Sequence, residues 1–231
     1  MVLHPVAQRT GAPEQPTQQA TMHVLDGSLK GLHALSRMEC DLVFNLAESF
    51  GGNDTADYCI AAYLELIGKR ITGSGSHGLI YGQDKAVAKK ILEFHGIHTP
   101  VFARSYRGRL DFSHDLHFPV IVKPAREDGS IGIEFSSVVR SIRELMERID
   151  WLHANFDSPV LIEEFVEGHE GFYDTLSVDG VPALDFVSHY FPNVLEAMRT
   201  RWISPQFLAT NRVDSVADYQ ELREMGRRVN E

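Results

Sequence analysis

The sequence has few cysteines and no long apolar segment. Its 231 residues include two cysteines, Cys40 and Cys59, which suits a reducing compartment better than a disulfide-stapled scaffold. No apolar run approaches the roughly 20 residues of a membrane-spanning helix, and the N-terminus lacks the apolar core and cleavage site of a secretory signal. These absences predict a cytoplasmic protein with no membrane partner. Neither cysteine has a nearby histidine at a spacing typical of a catalytic Cys–His pair, so thiol catalysis is not expected.

Positive charge is also scarce. The chain has 22 lysines and arginines against 32 aspartates and glutamates, which gives a formal net charge of −10. Binding to a nucleic-acid backbone requires clustered positive charge, so we expect no nucleic-acid partner. A phosphorylated small ligand is compatible with this composition, because two or three well-placed cations can bind it.

Apolar spacing predicts an α/β layer in the first third of the chain. Residues 1–21 are rich in Pro, Gln and Thr and predict a disordered tail. A buried strand at 41–46, a helix at 55–67 and a short strand at 70–72 then alternate, which is typical of an α/β architecture. We therefore expect an N-terminal α/β domain over residues 22–76.

The rest of the chain predicts an α+β region. Asp84 favours a helix start and Gly96 a helix end, and Asp179-Gly180 is typical of the turn in a β-hairpin. The predicted elements are a helix at 84–95, a strand at 118–123, a helix at 137–154, a strand at 159–166, hairpin strands at 172–178 and 182–190, and a helix at 215–229.

Several residues of this region have the chemistry of a nucleotide site. Lys123 ends an apolar strand and precedes a glycine-containing loop, 124–132, in which backbone N–H groups and Ser130 can donate hydrogen bonds to phosphate oxygens. Glu163 follows the apolar run of a second predicted strand, where a carboxylate can accept from an adenine amino group, and Glu170 is spaced to accept from ribose hydroxyls. Each feature alone fits an ordinary strand end or surface turn, but their combination and order favour a nucleotide site.

These segments resemble the ATP-grasp enzymes, above all the D-alanine–D-alanine ligases. Residues 118–132, FPVIVKPAREDGSIG, are similar to the family's phosphate-binding lysine strand and flexible loop, and residues 160–170, VLIEEFVEGHE, to its hinge strand. The resemblance runs from about Asp41 to Glu170. It implies an ATP-grasp fold that combines α/β and α+β parts: an N-terminal pre-ATP-grasp α/β domain, a first ATP-binding lobe over 77–166 and an incomplete second lobe over 167–231.

The resemblance also implies roles for individual residues. Glu163 and the backbone at Phe165 and Val166 would hold adenine, Glu170 would hold ribose, and Lys85 would be a second phosphate contact. The ATP-binding residues that it implies are Lys85, Lys123, Ser130, Gly132, Glu163, Phe165, Val166 and Glu170.

Two departures from the family pattern affect the loop and the substrate. The loop usually has two adjacent serines, and here the first is Gly129, so loop closure is expected to be looser. The turn after the first strand usually contains a histidine in the dipeptide ligases, but here it contains Glu48. Glu48 could instead meet the ammonium group of another amino-acid-like substrate, so D-alanine is not assigned.

Two arginines are candidates for contacting the γ-phosphate. Residues 188–192, SHYFP, and the following 198–201, MRTR, resemble a different ATP-grasp branch. Arg199 and Arg201 would suit a phosphate, because the planar guanidinium bonds in two places. A solvated basic loop is an equally open interpretation.

The family chemistry implies an ATP-dependent ligase that phosphorylates a small-molecule carboxylate and joins it to an amine. The family's Mg²⁺ ligands are expected after the helix at 215–229, and the sequence ends at Glu231 without a counterpart for them. We therefore expect no metal ligand within this chain, and either a missing C-terminal segment or a homo-oligomer. The alternative function is a catalytically inactive ATP-binding remnant or a regulatory module.

Two weaker patterns compete with this interpretation. Residues 73–78, GSGSHG, match the glycine fingerprint of dinucleotide-binding folds, but segment 73–82 is expected to be a loop and has no acidic residue at a second strand end. His114 and His117 have a spacing that could hold a metal, but no third ligand is near, which favours solvated loop histidines.

Overall fold

The chain forms two compact units in the computed structural model. One unit comprises residues 1–85 with 126–129, and the other comprises 86–125 with 130–231. The residues that the structure describes are 2–4, 21–106, 108–112, 115–192, 195–197, 206–213 and 216–230. None of the helices in these ranges has the length and apolarity needed to cross a bilayer. The predicted domains 22–76, 77–166 and 167–231 stay a prediction.

The first unit is a small α/β layer. Its antiparallel sheet has the strand order β2-β1-β3, and its core contains Leu32, Val43, Ile60 and Leu64. The elements are β1 (Val2–His4), β2 (Thr21–Met22), α1 (Leu29–Ala34), β3 (Leu42–Phe44), α2 (Asp57–Leu66) and α3 (Ser76–Gln83).

Three predictions for this unit differ from the structure. Residues 2–4 and 21–22 of the expected disordered tail pair as strands beside β3, because strand pairing satisfies their backbone groups. The expected strand at 70–72 is reduced to a single parallel bridge between Val43 and Ile71. Most of the expected loop at 73–82 is helix α3. Its first residue, Ser76, donates hydrogen bonds to the carboxylate of Glu65.

The second unit contains two antiparallel sheets. The five-stranded sheet has the order β5-β4-β8-β6-β7, and the three-stranded sheet has the order β11-β10-β9. The elements are α4 (Lys85–Phe94), β4 (Phe102–Tyr106), β5 (Arg109–Phe112), β6 (Val120–Pro124), β7 (Val138–Val139), α5 (Ile142–Asn155), β8 (Val160–Glu164), β9 (Gly171–Val178), β10 (Val181–Phe191), β11 (Gln206–Thr210) and α6 (Ala217–Asn230).

Side-chain alternation separates the two faces of the five-stranded sheet. Val120 and Val122 of β6 are buried with Ile162 of β8 against Ile149 and Leu152 of helix α5. Successive residues of a strand point to opposite faces, so the residues that alternate with Val120, Val122 and Ile162 along β6 and β8 project away from α5. That opposite face carries the candidate functional residues.

The hairpin of β9 and β10 was predicted correctly. Asp179 and Gly180 join the strands with φ of 51° and 78°. A two-residue turn with positive φ at both positions matches the twist of the flanking strands, and Asp-Gly is a favoured pair for it. Leu176 and Leu184 of this sheet are more than half exposed.

Candidate functional site

A cavity of about 500 Å³ lies on the face of the five-stranded sheet opposite helix α5. It is bounded by the ends of β6 and β8 and by the connection from β8 to β9. Its lining includes six of the residues that the sequence implicated, namely Lys123, Ser130, Glu163, Phe165, Val166 and Glu170. Residues far apart in the sequence are thus brought to one cavity.

Lys123 and Glu163 form an ion pair at this cavity. Lys123 is opposite Leu161 in the antiparallel pairing of β6 with β8, and Glu163 is opposite Ile121. The two side chains therefore project from neighbouring rows of the same sheet face, and the Lys123 ammonium contacts Oε1 of Glu163. The pair puts a cation and an acceptor side by side in the cavity wall.

Glu163 has a second cationic partner, which the sequence interpretation missed. The Nζ atom of Lys89, on helix α4, lies 2.9 Å from Oε2 of Glu163, and the two side chains are 12% and 9% exposed. Lys89 follows Lys85 by one helical turn, a spacing that puts both on one face of α4. This spacing was the available signal, but it could not name the carboxylate that Lys89 meets.

The Oε2 atom of Glu163 is buried, and no described donor is aligned with it for a hydrogen bond. The Lys89 ammonium lies close enough to Oε2 to compensate its charge, but it is not aligned for a hydrogen bond. Glu163 also lines the cavity, so its carboxylate can accept a hydrogen bond from a donor group of a ligand. The exposed Val166 and half-buried Phe165 beside it offer apolar surface for a planar ring.

The loop after Lys123 is fixed at both ends. At its start the N–H of Ala125 donates to the carbonyl of Pro159, at 2.7 Å. At its end Arg148 of helix α5 donates to the carbonyl of Gly132 at 2.7 Å and to Oγ of Ser137 at 2.9 Å. Arg148 also forms an ion pair with Glu134 at 3.2 Å. The sequence interpretation placed Arg148 in an amphipathic helix and did not find this role.

Left-handed backbone shapes the middle of the loop. Gly129 has φ of 58° and Ser130 has φ of 64°. Glycine adopts this region without steric cost, whereas a serine there is uncommon and mildly strained. The glycine that replaces the family's first serine therefore suits the backbone conformation at its position.

The connection from β8 to β9 brings Glu170 to the cavity. The N–H of Phe165 donates to the carbonyl of Pro119 at 3.0 Å, which holds the start of this connection against the start of β6. The side chain of Glu170 is exposed, and its carbonyl lies 3.2 Å from Nδ1 of His189. An exposed carboxylate at the rim can accept hydrogen bonds from hydroxyl groups of a ligand.

The other predicted site residues are not part of this arrangement of described side chains. Lys85 is the first residue of α4 but is grouped with the first unit, where its ammonium contacts the carbonyl of Glu127. Glu48 is exposed in the same unit. Arg199 and Arg201 lie outside the described residues. Gly132 is not among the described residues that line the cavity. The roles of all these residues, and of the six that line the cavity, stay predictions.

The dinucleotide-type segment 73–78 has its helix start filled by a side chain of the protein. Glu65 accepts from the Ser76 N–H at 2.9 Å and from its Oγ at 2.7 Å. Both hydrogen bonds lower the pKa of the Glu65 carboxyl, and the one from the Ser76 hydroxyl contributes most. An incoming phosphate would have to displace this carboxylate, so the segment does not have the chemistry of a dinucleotide site.

Within the described ranges, no three His, Cys, Asp or Glu side chains converge as metal ligands. Asp174 and Asp185, two acidic residues of the β9–β10 sheet, bond instead to protein groups. Asp174 accepts from Ser188 at 2.5 Å, and Asp185 accepts from Tyr173 at 2.8 Å and pairs with Arg223 at 2.6 Å. His117 lies 3.7 Å from Glu164, and His114 is outside the described residues.

A family model matches the part of the chain that builds this cavity. Residues 92–182 match the model described as the D-ala D-ala ligase C-terminus. That range contains β4 to β9, and with them Lys123, Glu163 and Glu170. This part of the chain therefore resembles the D-alanine–D-alanine ligases.

Two relatives match about three fifths of the chain. The chain is 31% identical over 148 residues to the uncharacterized protein y4sG of Sinorhizobium fredii, covering 63% of this chain and 43% of the relative. It is 34% identical over 149 residues to the D-alanine–D-alanine ligase of Syntrophotalea carbinolica, covering 61% of this chain and 48% of the ligase. The chain thus spans about half the length of the curated relatives it matches.

A solved structure gives the same fold. The VanG D-Ala:D-Ser ligase of Enterococcus faecalis matches with a TM-score of 0.60 and 20% identity, over 83% of this chain and 56% of that one. The predicted fold class, an ATP-grasp fold of mixed α/β and α+β parts, is confirmed for the portion of the fold that this chain contains.

Proposed function

We propose that the cavity binds ATP, with adenine against the connection after β8 and the phosphates beside Lys123. The observation that carries this proposal is the Lys123–Glu163 pair in the cavity wall, where a cation and a buried acceptor adjoin. ATP-grasp ligases of the D-alanine–D-alanine type use ATP and Mg²⁺, which supports the choice of nucleotide.

The chain's own residues would divide the work of binding. Glu163 would accept from the adenine amino group, and Glu170 would accept from ribose hydroxyls at the exposed rim. Lys123 would offset negative charge on the phosphates, and Ser130 together with the loop amides would donate to phosphate oxygens. Arg148 would hold the far end of the loop in place through the Gly132 carbonyl.

We propose further that the protein to which this chain belongs is a carboxylate–amine ligase acting on small molecules. In such a reaction the carboxylate oxygen attacks the γ-phosphorus, which releases ADP and forms an acyl phosphate. The amine then attacks the acyl carbon, which releases phosphate and leaves an amide. Mg²⁺ would neutralise phosphate charge in the first step, and we assign no ligand for it because the described residues offer no cluster of donors.

Calorimetry with ATP, ADP and GTP tests the nucleotide site. We expect ATP and ADP to bind at least about ten-fold more tightly than GTP, because guanine presents a carbonyl where the Glu163 carboxylate needs a donor. Equal affinities for ATP and GTP would contradict the placement of adenine at Glu163.

A coupled assay for ADP release tests the ligase step. It is run with Mg²⁺ and mixtures of amino acids as acid and amine. Release of ADP that requires both an acid and an amine supports the ligase. ATP binding without ADP release supports the alternative of a binding or regulatory module.

A further inference from the structure

Glu163 is shared between two lysines that differ in their relation to the cavity. Lys123 contacts Oε1 and lines the cavity, whereas Lys89 contacts Oε2 from helix α4 and is not part of the lining. One buried carboxylate therefore has one cation that a ligand can reach and one that stands behind it.

Lys89 is held firmly in its place. Its Nζ lies 2.9 Å from Oε2 of Glu163, donates to the carbonyl of Pro100 at 3.3 Å, and is 5.4 Å from the ring centroid of Phe102. Phe102 is itself buried and pairs with Glu163 across β4 and β8. Lys89 thus approaches the carboxylate from a fixed direction, supported by the backbone and by an aromatic ring.

The two lysines have different tasks once phosphates bind. Phosphate oxygens compete with Glu163 for the Lys123 ammonium, since both are anionic. If Lys123 turned to the phosphates and Glu163 had no other cation, a buried charge would be left uncompensated, which is strongly unfavourable. Lys89 removes this penalty because it stays paired with Oε2.

We propose that Lys89 is a positioning residue that stays paired with the Glu163 carboxylate and holds it in place, and so releases Lys123 to the phosphates of the nucleotide. This inference rests on the proposed ATP site. It predicts that Lys89 matters more for ligands with phosphates than for ligands without them, because only phosphates draw Lys123 away from Glu163.

The test compares ATP with adenosine on Lys89→Met, with affinities measured by competition against a fluorescent ATP analogue. We expect ATP affinity to fall about ten-fold or more and adenosine affinity to fall less than about three-fold. The loss of a hydrogen-bonding partner of a charged group should weaken only the complex in which phosphates have drawn Lys123 away from Glu163. Lys89→Arg should restore most of the ATP affinity. Lys90→Met, on an exposed position of the same helix, is the matched control and should bind both ligands as the wild type does.

Equal losses for ATP and adenosine would show a merely structural role and would overturn the inference, as would unchanged binding of both. A wild-type chain that binds neither ligand would instead overturn the ATP site itself, and the inference with it.

A second pair of variants decides the matter if Lys89→Met does not fold. Glu163→Gln removes the buried charge, so adding Lys89→Met to it should change ATP affinity by less than about two-fold, because charge compensation is no longer needed. A further ten-fold loss in the double variant would mean that Lys89 acts without Glu163, and would overturn the proposal.

Discussion

Two glycine-containing segments, 73–78 and 125–132, have similar sequences but different surroundings. In the first, the helix start is occupied by the Glu65 carboxylate, and a Cβ on Gly75 would lie 2.7 Å from Glu65 Oε1. In the second, Ser130 lines a cavity that also contains Lys123. The groups already bonded to a segment's N–H donors, more than its glycine spacing, therefore decide whether it can bind an anion.

The largest expected effect concerns the shape of the second segment. In Gly132→Ala, the new Cβ would lie 2.7 Å from Pro124 Cγ and 3.1 Å from Phe156 Cζ, at a φ of 72°. Left-handed strain and overpacking together should lower the free energy of unfolding by about 2–4 kcal/mol. Gly129→Ala is the control, since its Cβ would meet nothing within 4 Å. Its free energy of unfolding should fall by only about 1 kcal/mol. Urea unfolding measures both, and equal losses would show that packing does not fix the segment's end.

The next effect separates the two segments by charge. Lys123→Met keeps an apolar stem but removes the ammonium beside the second segment. ATP affinity should fall roughly ten-fold to a hundred-fold, because hydrogen bonds to charged groups contribute about 1.5–3 kcal/mol. Calorimetry measures the affinity, and circular dichroism checks that the variant folds. Normal ATP binding by a folded Lys123→Met variant would remove the distinction between the segments.

Two serine variants make the comparison direct. Ser130→Ala should lower ATP affinity about five-fold, as expected for the loss of a hydroxyl donor contributing about 1 kcal/mol. Ser76→Ala should leave ATP affinity unchanged and lower only the free energy of unfolding, because its hydroxyl donates to Glu65. The reverse result, with ATP binding sensitive to Ser76 alone, would point to the first segment as the nucleotide site.

The smallest effect is a pH dependence in the first segment. The Ser76 hydrogen bonds lower the pKa of Glu65 in the folded chain, so they stabilise the fold above the usual glutamate pKa of about 4.3. That contribution is lost as the pH falls through the lowered pKa. Glu65→Gln should therefore have a lower melting temperature than the wild type near neutral pH. The difference between the two melting temperatures should become smaller in acid. A difference that does not change with pH would mean that the Glu65 charge is not involved.

The candidate cavity could be predicted from the sequence to the extent that its residues are marked by local pattern. Lys123 and Glu163 each follow an apolar run in the sequence, and the pairing of β6 with β8, which was not predicted, brings them together. Lys89 and Arg148 carried no such mark, since their partners, Glu163 and the Gly132 carbonyl, are defined only by tertiary packing. Helix α3 was missed for a related reason, because a distant carboxylate offsets the glycine content of its start.

The strand order β5-β4-β8-β6-β7 has a consequence for how the protein is made. β4 and β6 emerge from the ribosome first, but each pairs with β8, which is synthesised after both. The nascent chain therefore cannot close this sheet until Val160–Glu164 is available. The same segment carries Glu163, so the candidate cavity and the centre of the sheet should form in a single late step. Non-local pairing of this kind folds slowly, and ATP should be unable to rescue a nascent chain that ends before β8.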